Sequence, residues 1–371
     1  MKIFKRIMIA FFSVLILLAV STALYMQHPK FGRAPRGERL ERLRRSPNFT
    51  NNSFQNRKPT PMISEGYSMT GVIYNFLFKK YPRTKPSAVL PSVKTNLKRI
   101  PLTNNVLIWF GHSSYFLQLD GIRFLVDPIF SGNASPVPFS TISFPGTDVY
   151  SVEDMPDIDF LLITHDHYDH LDYETILKLK NKVKKVICGL GVGEHFEYWK
   201  YAPTIIDERD WNETVKINDK FELHTAPARH FSGRSLKSNN TLWLSFVLKT
   251  PGLKIYLGGD SGYDTHFKEI GDRFGGFDLA LLDNGQYNPA WEEIHMLPEQ
   301  VLKASQELRA KRLIPIHSSK FKLAYHSWDD PLKTIIRQNK SRINIATPKI
   351  GEIVYLDDNA QRFEEWWASI D

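Results

Sequence analysis

The chain has 371 residues, 42% hydrophobic and 13% aromatic, enough for one large domain or two ordinary ones with a sizeable core. Its single cysteine, Cys188, excludes an intrachain disulfide framework and a cysteine-rich zinc site. The net charge of +8 conceals a division: residues 1–100 carry 19 Lys/Arg against 3 Asp/Glu and the remaining 271 carry 29 against 37, so a basic appendage of +16 precedes an acidic body of −8.

The appendage opens with Lys2, Lys5 and Arg6. Residues 7–25 follow without a charge and are rich in Leu, Ile, Phe and Ala. A helix of about 20 such residues crosses the hydrocarbon core of a bilayer. The run exceeds the roughly 7–15 residues of a signal-peptide core. Residues 1–29 are therefore expected to be a single-pass signal-anchor transmembrane helix. A removed signal peptide, cleaved near Ser21-Thr22-Ala23, is the alternative. The side of the membrane stays open. Seven basic residues after the run against three before it favour a cytoplasmic catalytic part, whereas the signal-like start favours export. With a membrane segment beside it, the basic flank is assigned to anionic lipid and not to nucleic acid.

Residues 30–100 are read as a basic juxtamembrane and connector segment. Within it, residues 37–45 suit a short basic helix along headgroups. Residues 69–81 place Tyr74, Phe76, Leu77 and Phe78 beside Lys79 and Lys80, for the membrane interface or for packing onto the domain.

Residues 101–371 have the texture of short strands and interleaved helices. Residues 115–119 and 122–126 form a hairpin by the chemistry of Asp120-Gly121. Residues 131–157, rich in Ser, Pro and Gly, form a long loop of a kind that is often functional. One regularity repeats. The apolar run 160–163 ends in Thr164-His165-Asp166-His167-Tyr168-Asp169-His170. Later runs end at His230, at Gly258-Gly259-Asp260, at Asp283 and at His317. Side chains at successive strand ends can converge on one edge of a sheet.

Imidazoles and carboxylates in that density suit zinc and its neighbours. His165 and His167 lie two apart on an extended backbone and share one face. With Asp169, His170, His230, Asp260 and His317 they supply the donors for two metal ions, Asp260 being the natural bridge because a carboxylate has two oxygens. Zinc so held lowers the pKa of bound water to about 7, so no Ser or Cys nucleophile is required. Asp127 is a turn residue or a carboxylate orienting a ligand His. His112, His224, His266 and His326 are taken as capped polar groups.

The motif 164–170 resembles the H-x-H-x-D-H signature of the metallo-β-lactamase superfamily, with His230, Asp260 and His317 in that family's order. Residues 124–131, 134–136, 167–172 and 267–271 are similar to the branch of N-acyl-phosphatidylethanolamine-hydrolysing phospholipases D. The resemblance implies an αββα sandwich and two zinc ions per chain. It implies that His165, His167 and His230 hold one ion, Asp169, His170 and His317 the other, and Asp260 both. It implies His295 beside the substrate phosphate, so that Asp169, Asp260 and His295 face the reacting atoms. The implied reaction is phosphodiester hydrolysis in a membrane glycerophospholipid, releasing phosphatidic acid and an N-acylethanolamine. A hydrolase of a soluble ester or lactone, and a tethered metal-binding or sensing module without turnover, are the competing expectations.

Overall fold

The computed structural model describes residues 1–370. The sequence begins with α1 (Lys2–Tyr25), α2 (Gly37–Arg44), the short hairpin strands β1 (Phe49–Thr50) and β2 (Ser53–Phe54), and α3 (Met69–Phe78). The first half of the body contains β3 (Val106–Trp109), β4 (Tyr115–Leu119), β5 (Ile122–Val126), β6 (Ile158–Ile163), α4 (Tyr173–Leu179), β7 (Val183–Gly189), α5 (Gly193–Tyr198) and β8 (Ile206–Arg209). The second half contains β9 (Thr214–Lys216), β10 (Glu222–Ala226), β11 (Ser245–Lys249), β12 (Lys254–Leu257), α6 (His266–Phe274), β13 (Leu279–Asp283), α7 (Pro298–Glu307), β14 (Arg312–Ile316), α8 (Asp330–Gln338), β15 (Asn344–Ile345) and β16 (Ile353–Tyr355).

The strands form two seven-stranded sheets, ordered β16-β3-β4-β5-β6-β7-β8 and β15-β14-β13-β12-β11-β10-β9. Strand periodicity builds the layers. In β6, Leu162 joins the core between the sheets, while Leu161 and Ile163 join the core beneath α4 and α5. In β14, Ile314 faces the shared core and Leu313 faces α6, α7 and α8. Both faces of each sheet are covered, so these strands read as unbroken apolar runs. The result is the expected αββα sandwich. Asp120 and Gly121 both have positive φ, +46° and +79°, as the tight turn between β4 and β5 requires.

β5, β6 and β7 run parallel, as do β12, β13 and β14. The loops that leave their carboxyl ends therefore emerge at one edge of each sheet, and this edge carries the site.

α1 buries no side chain and is long and apolar enough to cross a membrane. The segment after it is packed against the body. Trp199 Nε1 donates to Pro29 O (2.9 Å), and the buried Arg234 guanidinium donates to Lys30 O (2.8 and 3.1 Å). α2 does not lie free for headgroups: Leu43 is buried, and Arg39 pairs with Glu194 (2.7 Å), Glu197 (2.5 Å) and Glu208 (2.7 Å). Arg36, Arg42, Arg44 and Arg45 stay exposed, Arg36 facing Glu194 (3.5 Å) and Arg44 facing Glu41 (2.5 Å). Phe54 is fully buried. α3, by contrast, leaves its aromatic face exposed.

Arg39 neutralises two carboxylates, Glu194 and Glu208, that have almost no access to water. Arg39→Met should destabilise the protein by about 3 kcal/mol, the order of cost for stranding a buried charge. Chemical denaturation of the two proteins measures it; an unchanged midpoint would show that the contact only decorates the surface.

Candidate metal centre

Asp127 ends β5, is fully buried and has φ of +41°. Its carboxylate accepts from Thr164 N (2.9 Å), from Thr164 Oγ1 (2.6 Å) and from His170 Nδ1 (2.8 Å). Because the Thr164 hydroxyl proton is committed to Asp127, its oxygen accepts from His165 Nδ1 (3.0 Å). His230 Nδ1 donates to Ile294 O (3.0 Å). His165 and His230 thus carry their protons on Nδ1 and present bare Nε2 lone pairs.

Those lone pairs meet at His167. Its Nδ1 lies 2.9 Å from His165 Nε2 and 3.3 Å from His230 Nε2. Ligand nitrogens around a tetrahedral zinc stand about 3.3 Å apart, so this spacing fits a cation. Burial holds His165 and His230 well below the usual imidazole range and brings His167 down to about 4. All three are neutral donors at neutral pH.

The second cluster adjoins the first. His170 Nε2 stands 3.1 Å from Asp260 Oδ2 and 3.7 Å from Asp169 Oδ2. His317 Nδ1 stands 3.0 Å from Asp260 Oδ1, the other oxygen of the same carboxylate. Asp260 Oδ2 is also 3.9 Å from His165 Nε2 and 3.8 Å from His230 Nε2. Asp260 therefore stands between the clusters. Its Oδ1 is buried without a hydrogen-bond partner, as suits a ligand atom. Burial pushes its carboxyl up to about 7. For His170 burial acts downward, but the carboxylates of Asp260, Asp169 and Asp127 outweigh it and hold the imidazole well above its usual range. Burial acts upward on Asp169, yet His170 and His112 bring it below the carboxylate range.

Gly259 and Gly262 bracket Asp260 where no side chain fits. A Cβ on Gly259 would lie 2.7 Å from Thr164 Cβ, and one on Gly262 would lie 2.0 Å from the carbonyl oxygen of Glu293.

All seven ligand candidates read from the sequence come together here, with Asp127 and His295 beside them. His295 Nδ1 bonds Asp283 Oδ2 (2.8 Å), and its ring stacks on His317 with centroids 5.0 Å apart. One expectation is overturned. His112 is not a capped polar group: its Nε2 donates to Asp169 Oδ2 (2.8 Å), its Nδ1 is buried without a partner, and its φ is +54°. It follows β3 as the ligand candidates follow their strands, and that is the signal that points to it. Asp283 was noted as a strand-end carboxylate but given no role. Asn56 carried no local signal at all. Its side chain donates to His230 O (2.6 Å) and accepts from His230 N (3.1 Å), so the segment before the body positions a ligand.

A buried cluster of histidines and carboxylates on the carboxyl edge of an αββα sandwich defines a class: metal-dependent hydrolases. Residues 122–318 match the family described as Beta-lactamase superfamily domain, and the chain belongs to the metallo-β-lactamase superfamily. It is similar to an uncharacterized protein of Mycobacterium tuberculosis, 34% identical over 327 residues covering 87% of each chain. It is also similar to N-acyl-phosphatidylethanolamine-hydrolyzing phospholipase D 1 of Caenorhabditis elegans, 29% identical over 269 residues, 66% of this chain and 74% of that one. Among solved structures, the metallo hydrolase Igni18 of Ignicoccus hospitalis shares the fold, with a TM-score of 0.52, 21% identity, and coverage of 68% of this chain and 98% of that one.

Asp260→Ala should remove metal from both clusters, so elemental analysis of the purified variant should find almost none. Two ions per chain in that variant would contradict the shared position. The proton inventory also separates the clusters. Zinc binding at His165, His167 and His230 should displace no imidazole proton between about pH 6 and 8, because those imidazoles are already neutral, and leaves only the shared Asp260 to deprotonate. Binding at the second cluster must displace protons from Asp260 and His170, so its affinity should rise with pH. Calorimetric titration in buffers of different ionisation enthalpy reads this, and equal proton release from both events would refute the assigned protonation states.

Proposed function

We propose that this protein is a membrane-anchored, di-zinc phosphodiesterase of glycerophospholipids, acting on N-acyl-phosphatidylethanolamines. The likeness to the C. elegans enzyme supports the substrate class. The observation that carries the reading is His295. Asp283 fixes its Nδ1, and the ring stands against His317 and His230, at the rim of both clusters. Burial acts downward on His295, but the neighbouring carboxylates, Asp283 foremost, outweigh it and hold the imidazole above its usual range. A fixed hydrogen-bond donor beside two metal positions suits a phosphodiester, whose charge builds up on its oxygens during attack.

His165, His167 and His230 would hold one zinc, Asp169, His170 and His317 the other, and Asp260 would touch both. Bound there, zinc supplies Lewis-acid activation of water and of the phosphoryl oxygen. His295 would bind a non-bridging phosphate oxygen through Nε2, with Asp283 orienting the ring through their hydrogen bond. His112 would hold the Asp169 carboxylate in place through their hydrogen bond. Water adds to phosphorus, the bond to the N-acylethanolamine oxygen breaks, and that oxygen takes up a proton. The products are phosphatidic acid and the N-acylethanolamine. α1 would cross the bilayer once and keep the site at its surface.

The test is a hydrolysis screen of the zinc-loaded full chain in detergent. N-acyl-phosphatidylethanolamine should be cleaved to phosphatidic acid, and His295→Ala should lower kcat by about a hundredfold, the size of effect seen on losing a charge-stabilising donor. Turnover of soluble esters or lactones without phospholipid would replace the substrate class. Zinc binding without turnover of any of these would make the protein a binding module.

A further inference from the structure

Six large apolar side chains stand exposed on segments that meet one edge of the sheets. Phe139 is 85% exposed, Leu236 is 88%, Val137 is 51%, and Phe76, Leu77 and Phe78 of α3 are 64 to 69%. Chain topology places all six. Val137 and Phe139 lie in the loop that leaves β5, and Leu236 lies in the connection from β10 that carries His230. α3 is fastened by Tyr325, whose hydroxyl donates to Val72 O (2.8 Å) and whose ring meets Phe76 at 6.2 Å. Tyr325 lies in the loop that leaves β14, and its ring also packs on Trp291, from the loop that leaves β13. Each of these loops emerges at the edge where the ligands gather.

The end of α1 reaches the same edge. Tyr25 OH donates to Pro136 O (2.5 Å), and Phe31 packs edge-on against Tyr168, between ligand candidates His167 and Asp169. From Tyr25 to the first carbonyl held by the body, that of Pro29, is four residues, at most about 14 Å of extended chain. Exposed Lys79 and Lys80 directly follow the apolar residues of α3. An apolar surface with basic companions, continuous with an apolar helix, has the chemistry of the interface of an anionic bilayer.

We propose that the metal edge is itself a docking face for the lipid bilayer, with α3 and the 131–157 and 231–240 loops inserted beside α1, so that substrate reaches the site from the membrane plane. This rests on the membrane-anchored reading above and adds the orientation of the site. Neither α3 nor these loops contributes a ligand candidate.

The test uses the full chain reconstituted in vesicles of phosphatidylethanolamine and phosphatidylglycerol. Single-label variants F139C, L236C and L77C carry a polarity-sensitive fluorophore; native Cys188 is buried. L102C is the control, because Leu102 lies against the β4–β5 turn, at the opposite edge. The three labels should shift to the blue and be quenched by brominated lipid, and the control should do neither. Water-like emission at all three overturns the docking face. A variant carrying F139S, L236S, L77S and F78S should cleave vesicle phospholipid about tenfold more slowly, through lost insertion. It should cleave dispersed bis(p-nitrophenyl) phosphate at the unaltered rate. Equal rates on vesicles also overturn the proposal. Quenching without hydrolysis of either substrate supports the docking face and removes the phosphodiesterase reading alone.

Discussion

Asp127 sets the chemistry of both metal clusters without belonging to either. One of its oxygens accepts from the Thr164 hydroxyl and from His170 Nδ1. The first contact makes the Thr164 oxygen an acceptor and thereby places the His165 proton on Nδ1. The second leaves His170 Nε2 aimed at Asp260. A buried carboxylate that has lost its water must find donors, and here it finds the groups whose tautomers decide whether a cation can bind. Left to themselves, imidazoles sample both tautomers and rotate; this one anion removes both freedoms.

The sandwich supplies the rest. Parallel strands in each sheet bring their carboxyl ends to one edge, so Asp127, His165, Asp260, Asp283 and His317 arrive from five different strands. None of them is near another in space by virtue of sequence, except within residues 165–170. Part of the cost of burying so many polar groups is avoided by leaving imidazoles neutral where no carboxylate outweighs burial, as the lowered His165, His230 and His317 show. The strain concentrates there as well: His112, Asp127 and His317 all have positive φ. Conformations of that kind persist only where surrounding structure over-determines them, and they cluster at functional sites.

The strand-then-ligand rhythm and the density of residues 165–170 make the seven ligand candidates legible in the sequence, because they depend only on local periodicity and on residue chemistry; the αββα sandwich follows from the family resemblance those residues carry. His112 obeys the same rhythm, but a single histidine after a strand is usually a capped polar group, so the rhythm alone does not separate it. Asp283 showed itself as a strand end, but its partner His295 lies in a loop and carries no periodic signal. The segment before residue 101 was the least legible. Its arginines read as a solvated or lipid-facing charge run, yet Arg39 answers carboxylates some 155 to 169 positions away. Asn56 lies 174 positions from the ligand whose backbone it holds. Pairings over such distances leave no trace in composition or period, only in the fold.

That segment changes how the apolar N-terminal helix relates to the site. A flexible tether would fix only the distance between site and membrane. Here the chain leaving α1 is bound at once: Arg234 holds Lys30 O with two nitrogens and, with a third, donates to the backbone oxygens of Asp166 (2.8 Å) and Leu171 (2.7 Å). Those two carbonyls flank the stretch that contains His167, Asp169 and His170. The guanidinium itself sits over the Tyr168 ring, 4.2 Å from its centroid. One buried cation therefore joins the exit of the helix to the backbone of the metal motif. The chain that leaves the helix is thus held at a fixed place beside the metal motif.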